Sequence, residues 1–176
     1  AGIYGKPLWS FYVNRGQGLA SFGVKNKDNP IQEYQTSNLA YQNVPLLGFR
    51  TFIKIQQRSR SKKRKQRRKD DNTRRKSATN SFTMVEPFSP LNSNFQQEPH
   101  LPKRTMYVGA NEVQFQEVDS FVNKLETNVT FFTLPEEDFG ALVKRTTIKN
   151  LDTSHTIWVD VLDGLTQLEP AGRGHS

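Results

Sequence analysis

Large apolar and polar residues alternate along Gly48-Phe49-Arg50-Thr51-Phe52-Ile53-Lys54-Ile55, and the pattern resumes at Phe82-Thr83-Met84-Val85-Glu86-Pro87-Phe88. A period of two puts one set of side chains against a core and the other in water, so both segments are predicted strands. They are expected to form the two arms of one hairpin. Between them, Arg58 to Lys76 has no apolar side chain to bury, and residues 57–81 are expected to be a disordered basic insertion within that hairpin. A second hairpin is predicted upstream, where Leu8–Val13 and Leu19–Val24 flank Asn14-Arg15-Gly16-Gln17-Gly18, the residue types a tight turn requires. These glycines do not make a dinucleotide fingerprint, because Ser21 stands at the third glycine position and a strand follows where a helix should open.

Lys25–Pro30 is a polar turn, Ile31–Tyr34 follows, and the chain to Pro45 has the turn chemistry of an irregular region. Pro87 to Pro102 is a polar, proline-punctuated connector. From Thr105 the pattern becomes regular, with strands predicted at Met106–Val108, Glu112–Val118, Glu126–Leu134, Leu142–Ile148 and Thr156–Leu162. The loop Asn150–His155 has hairpin length, so the last two strands are expected to pair, and alternation should settle the faces of Val143, Thr147, Trp158 and Asp160. No segment keeps helical periodicity over the roughly 10–12 residues a helix needs. The expected architecture is all-β, an antiparallel β-sandwich of about nine or ten strands, forming a single domain over residues 1–176.

Composition sharpens this picture. The chain holds 12 Phe, 2 Trp and 5 Tyr but only 2 Met, which favours strands. Removing the insertion leaves about 150 residues, enough to bury roughly 68–70% of the unfolded surface. Residues 58–76 contain 12 Lys or Arg against 2 Asp, a net of +10, whereas the whole chain is +8, so the remainder is about −2. The basic character therefore belongs to one loop and not to a folded face, which weakens the general link between high pI and nucleic-acid binding. Cysteine is absent, so disulfides and thiolate metal sites are excluded, as suits a reducing, cytoplasmic setting. No apolar run reaches the 18 or more residues of a membrane span, and no membrane partner is expected. The chain starts at Ala1 without Met and stops at Ser176 just after a predicted strand, so it is expected to be a fragment, truncated at its C-terminus and its N-terminus.

Asn14, Arg15, Gln17, Asn26, Asp28 and Asn29 fall in two polar turns at neighbouring strand ends, where amides and charged groups can hydrogen-bond sugar hydroxyls. Turn geometry asks for the same residue types, so a purely conformational role stands beside the carbohydrate-facing one. Lys62, Lys63, Arg64, Lys65, Arg67, Arg68 and Lys69 resemble a nuclear-localisation or RNA-binding arm. The arm has no aromatic residue to stack on bases, so its contacts would be to phosphates and independent of sequence, and a solvated insertion without a binding role is the competing reading. Glu136, Glu137 and Asp138 are adjacent in a turn and cannot face one another across a glycosidic bond, which makes them a solvated acidic turn. His100, His155 and His175 are dispersed, so neither a metal site nor a catalytic triad is expected. Asn128-Val129-Thr130 matches a glycosylation sequon but lies inside a predicted strand.

A series of blocks carries a resemblance. Tyr12 to Asn29, then Gly48 to Lys54, Glu86-Pro87-Phe88, Phe132 to Phe139 and Val161-Leu162-Asp163-Gly164 are similar to the N-terminal domain of β-glucan phosphorylases related to cellobiose phosphorylase, of the β-1,3-glucan type. The likeness spans most of residues 4–170 outside the basic insertion, and the order of the blocks is more specific than any one of them. It implies an inverting phosphorolysis that gives α-glucose 1-phosphate, with the acid and most phosphate ligands in a following (α/α)6 helical barrel. That barrel, β-glucan and inorganic phosphate are the implied partners, a homodimer is left open, and nucleic acid enters only through the basic loop. No cofactor, metal or catalytic residue is expected in this chain, which alone should be inactive. Relatives join the equivalents of Lys54 and Glu86 by a short turn, which agrees with the hairpin reading.

Overall fold

A computed structural model describes residues 9–13, 16–22, 32, 35–57, 82–89, 101–134, 137 and 139–168. These residues form antiparallel β-sheets and one short helix, an all-β fold. In chain order the elements are β1 (Trp9–Tyr12), β2 (Leu19–Phe22), α1 (Ser37–Leu47), β3 (Phe49–Gln57), β4 (Phe82–Val85), β5 (Lys103–Val108), β6 (Glu112–Asp119), β7 (Leu125–Thr133), β8 (Leu142–Asn150) and β9 (Ile157–Leu165). The strands make a two-stranded sheet β1-β2, a three-stranded sheet β4-β3-β9 and a four-stranded sheet β5-β6-β7-β8.

Both predicted hairpins form. β1 pairs with β2, and Gly18, at φ +125°, takes a backbone conformation that side chains rarely adopt; a Cβ there would lie 3.0 Å from the Tyr12 carbonyl oxygen. β3 pairs with β4 in the register Ile53↔Val85, Lys54↔Met84, Ile55↔Thr83 and Gln56↔Phe82. The second arm is shorter than expected, because the strand ends at Val85 and Phe88 turns to φ +66°, where its N–H donates to Glu117 at 2.7 Å. The basic insertion between the arms, and the connector over residues 90–100, lie outside the described residues.

The structure corrects two expectations. The segment predicted to be irregular up to Pro45 contains α1, whose Ala40 and Val44, four residues apart, are buried against Leu19 and the partly buried Tyr12 and Leu165. Packing on the first hairpin, rather than propensity, fixes this helix, since Thr36 makes no side-chain cap and Pro45 sits inside the last turn. Secondly, β9 does not pair with β8. It pairs over its whole length with β3, from Phe49↔Leu165 to Gln57↔Ile157, so the loop after β8 carries the chain from one sheet to the other. Val143 and Thr147 share one parity of β8, where Thr147 is exposed, while along β9 burial does not alternate, and Trp158 and Asp160 are exposed together with Val159 and Val161 on the other parity.

Two apolar clusters join the three-stranded and four-stranded sheets. Ile53, Ile55 and Val85 pack with Leu125, Ile148 and Ile157. In the other cluster Phe131 is fully buried, with the rings of Phe11 and Phe49 each 4.9 Å from its own and Phe115 edge-on at 6.1 Å. Among the described residues no helix is long and apolar enough to cross a membrane.

Candidate functional site

The apolar runs Ile53, Ile55 on β3 and Val159, Val161 on β9 give way to polar residues at one place, which β8 reaches with Lys144 and Thr146. Register sets Thr51 opposite Asp163, and Lys144 opposite Phe131, so the parity that elsewhere holds Ile53, Ile55 and Val129 here holds a hydroxyl, a carboxylate and an ammonium. Thr51 is fully buried; its hydroxyl donates to Asp163 Oδ1 at 2.6 Å and accepts from Gln17 Nε2 at 2.7 Å. Lys144 Nζ pairs with the same Asp163 oxygen and approaches the Thr51 hydroxyl at 3.1 Å, while Thr146 donates to Asp163 Oδ2 at 2.8 Å. One carboxylate thus gathers groups from β3 and β8, and Gln17 ties in the first hairpin's turn.

Burial opposes charge on Asp163, but the hydrogen bonds from Lys144, Thr51 and Thr146 outweigh it and hold the carboxyl below its ordinary range. Burial draws the Lys144 ammonium below its usual value, with the Asp163 contact working against it. This lysine is not a free nucleophile, since its donors already meet Asp163, Thr51 and Thr146. Nor is Asp163 placed to act as a general acid, because it is held ionised. The arrangement can fix strands relative to one another. Gln17 Oε1, which is buried, has no hydrogen-bond partner among the described residues.

A second buried charge lies on β6, next to the β5 edge of the four-stranded sheet. Glu117, 4% exposed, accepts from Arg104 Nε at 2.7 Å and from the Phe88 N–H, and Arg104 also donates to the Ser89 carbonyl at 3.0 Å. Burial pushes the Glu117 carboxyl up despite Arg104 beside it. At the β6–β7 turn Asp119 accepts from the N–H groups of Phe121, Val122 and Asn123, a local cap that closes the loop. In the β8–β9 loop the Ser154 N–H, then His155 and Lys124, hold Asp152 down to about 2.

Of the residues expected to face carbohydrate, Gln17 is buried and donates to Thr51, while Asn14, Arg15, Asn26, Asp28 and Asn29 lie outside the described residues. The basic series Lys62, Lys63, Arg64, Lys65, Arg67, Arg68 and Lys69 lies outside them too. Glu137 is exposed, His155 stands in an exposed loop 3.1 Å from Asp152, and Asn128 sits within β7 with its amide donating to Glu126. The Thr51–Lys144–Asp163 cluster was missed in the sequence, although a signal was there. Thr51 and Asp163 are each polar at a strand position whose nearest neighbours of the same parity are apolar, and they meet because β3 and β9 pair side by side, with Lys144 reaching both from β8. No known protein family, curated protein or solved structure matches this chain.

Proposed function

We propose that this chain is the non-catalytic N-terminal β-sandwich portion of an inverting β-glucan phosphorylase of the β-1,3 type, a cytoplasmic enzyme of carbohydrate metabolism. The observation that carries this reading is the ordered series of sequence blocks, which fall on elements that pack together. Gly48–Lys54 enters β3, Glu86-Pro87-Phe88 is the turn leaving β4, Phe132-Thr133-Leu134 closes β7, and Val161–Gly164 lies in β9 paired with β3. The facing of two sheets across shared apolar clusters supports the sandwich arrangement. In this role the Asp163 cluster braces the fold, and the acid that protonates the departing oxygen belongs to a following helical barrel. The transcript beyond the Ser176 codon tests the reading. An open frame continuing into a helical domain, with phosphate-dependent release of α-glucose 1-phosphate from β-1,3-glucan oligosaccharides by the joined protein, is the expected result. A stop codon directly after Ser176 overturns it.

The net +10 of residues 58–76 favours a second reading, a β-sandwich interaction module whose basic loop binds nucleic acid or directs nuclear import. Nuclear accumulation of a fluorescent fusion that is lost when the loop is removed, together with a chain that ends at Ser176, would select it.

A further inference from the structure

Edge strands expose unpaired N–H and C=O groups, and proteins protect them with shortness, cationic side chains, proline or bulges. The edges described here differ sharply in this respect. β4 is four residues long; β5 carries Lys103 and Arg104; β8 carries Lys144, Arg145 and Lys149. β9, the other edge of the three-stranded sheet, has nine residues and contains no lysine, arginine or proline. Its only charges are already engaged within its own copy, Asp163 by Lys144 and Asp160 by Lys54 at 3.4 Å. Ile157 and Leu165 at its ends are partly buried, but the four apolar side chains between them are open: Trp158 is 61% and Leu162 70% exposed on one face, Val159 38% and Val161 46% on the other.

We propose that β9 pairs antiparallel with β9 of a second copy, extending β4-β3-β9 into a continuous six-stranded sheet across a two-fold axis at Val161. The sequence of the strand is self-complementary in this register. A symmetric pair that uses all of Ile157–Leu165 must place Val161 opposite itself, which sets Asp160 against Leu162, Val159 against Asp163, Trp158 against Gly164 and Ile157 against Leu165. No carboxylate then faces a carboxylate. Sliding the pair by one residue on each strand toward the N-terminus would put Asp160 opposite Asp160, and a slide of two toward the C-terminus would put Asp163 opposite Asp163, so charge disfavours these neighbouring registers. In the favoured register the Trp158 ring lies over Gly164, beside which a Cβ would meet nothing within 4 Å, so the indole has room to cover the exposed glycine backbone. A second copy is therefore the occupant that the chemistry of this edge specifies, and the inference does not depend on the phosphorylase reading.

Because the chain has no cysteine, a single introduced thiol reports the pairing directly. The expected results are a concentration-dependent dimer by sedimentation velocity and rapid disulfide dimer formation by Val161→Cys under mild oxidation. Val159→Cys should cross-link at least tenfold more slowly, since its counterpart is displaced by four residues, about 14 Å along the strands. Val161→Lys, which sets two ammonium groups at the axis, should weaken the dimer by about tenfold while its circular dichroism stays that of the parent. A strict monomer throughout the concentration range overturns the proposal. So does a dimer in which the two cysteine variants cross-link equally, or one that Val161→Lys leaves intact while folded.

Discussion

Lys144 and Asp163 form an ion pair that joins β8 of the four-stranded sheet to β9 of the three-stranded sheet, and the Thr51 hydroxyl donates to the same carboxylate from β3. Replacing Asp163 by Ala leaves Lys144, whose side chain is 9% exposed, without its counter-ion. The expected loss is about 3 kcal/mol in urea unfolding, because an uncompensated charge then stays buried. The double variant Lys144→Met with Asp163→Leu should recover most of that loss, since burying two apolar groups avoids both desolvation costs. A single variant as stable as the parent would show that the pair is not what binds these strands.

The same carboxylate predicts a pH dependence. The folded value for Asp163 lies below its ordinary 3.8, so the stability it contributes is present above that pH and is lost as pH falls through the folded value. Asp163→Asn should therefore flatten the acid limb of the stability profile relative to the parent. The check is thermal unfolding of both proteins between about pH 5 and pH 2. Parallel acid limbs would contradict the assignment.

Glu117 behaves in the opposite sense. Burial raises its folded pKa above 4.5, so the stability linked to its protonation is full below that pH and declines as pH rises through the raised value. At pH 7 the charge depends on Arg104, and Arg104→Met is expected to cost about 2 kcal/mol. At pH 5 the cost should be smaller, because burial raises the Glu117 pKa and the lower pH moves the carboxyl toward its neutral form. Urea titrations of parent and variant at both pH values decide this, and an equal cost at both would contradict it.

The strands were legible where their alternation met a single core. Ile53 and Ile55 are buried on the apolar parity of β3, whereas β4 buries Val85 and exposes Phe82 and Met84, the parity its alternation favours for the core; the β3–β4 hairpin forms even though a long basic segment splits it. The helix was hidden because only Ala40 and Val44 are buried in it and Pro45 argues against continuation, so tertiary contact decides what propensity does not. The partner of β9 was hidden for another reason. A loop of hairpin length is compatible with a change of sheet, and what draws β9 to β3 is a set of pairings such as Val161↔Ile53, more than a hundred residues apart. The polar cluster was readable residue by residue as misplaced parity, but its convergence depended on that same pairing.

Gly48 follows α1 at a point where the chain has little room. A Cβ at this position would lie 2.5 Å from the Val44 carbonyl oxygen and 2.6 Å from that of Gly18, both main-chain atoms that cannot swing aside. The Gly18 carbonyl is also the acceptor for the Phe49 N–H at 2.8 Å, so moving it breaks the contact between the first hairpin and β3. Gly48→Ala is expected to destabilise the protein by about 2–4 kcal/mol, measured by urea unfolding. A change of less than about 0.5 kcal/mol, the size of an ordinary surface substitution, would mean that this junction yields easily.

The last prediction concerns the insertion. In the β3–β4 register Gln56 pairs with Phe82, so a variant in which a two-residue Asn-Gly turn joins Gln57 to Ser81 in place of Arg58–Asn80 keeps that register. The removed segment has a single small apolar side chain, Ala78, so its loss forfeits almost no hydrophobic free energy. Shortening the connection should stabilise the hairpin by under about 2 kcal/mol, because closure entropy changes by only about 0.6 kcal/mol per doubling of length. Removing the charge excess adds a gain that salt screens. Polyanion binding should disappear with the segment. If the parent arm engages about six phosphates, its binding to a nucleic-acid duplex should fall with a log–log salt slope near about −5, and the shortened protein should show no such binding. An unfolded deletion variant would show that residues 58–80 support the fold, and retained binding with the same slope would place the polyanion site on the folded sheets instead of the loop.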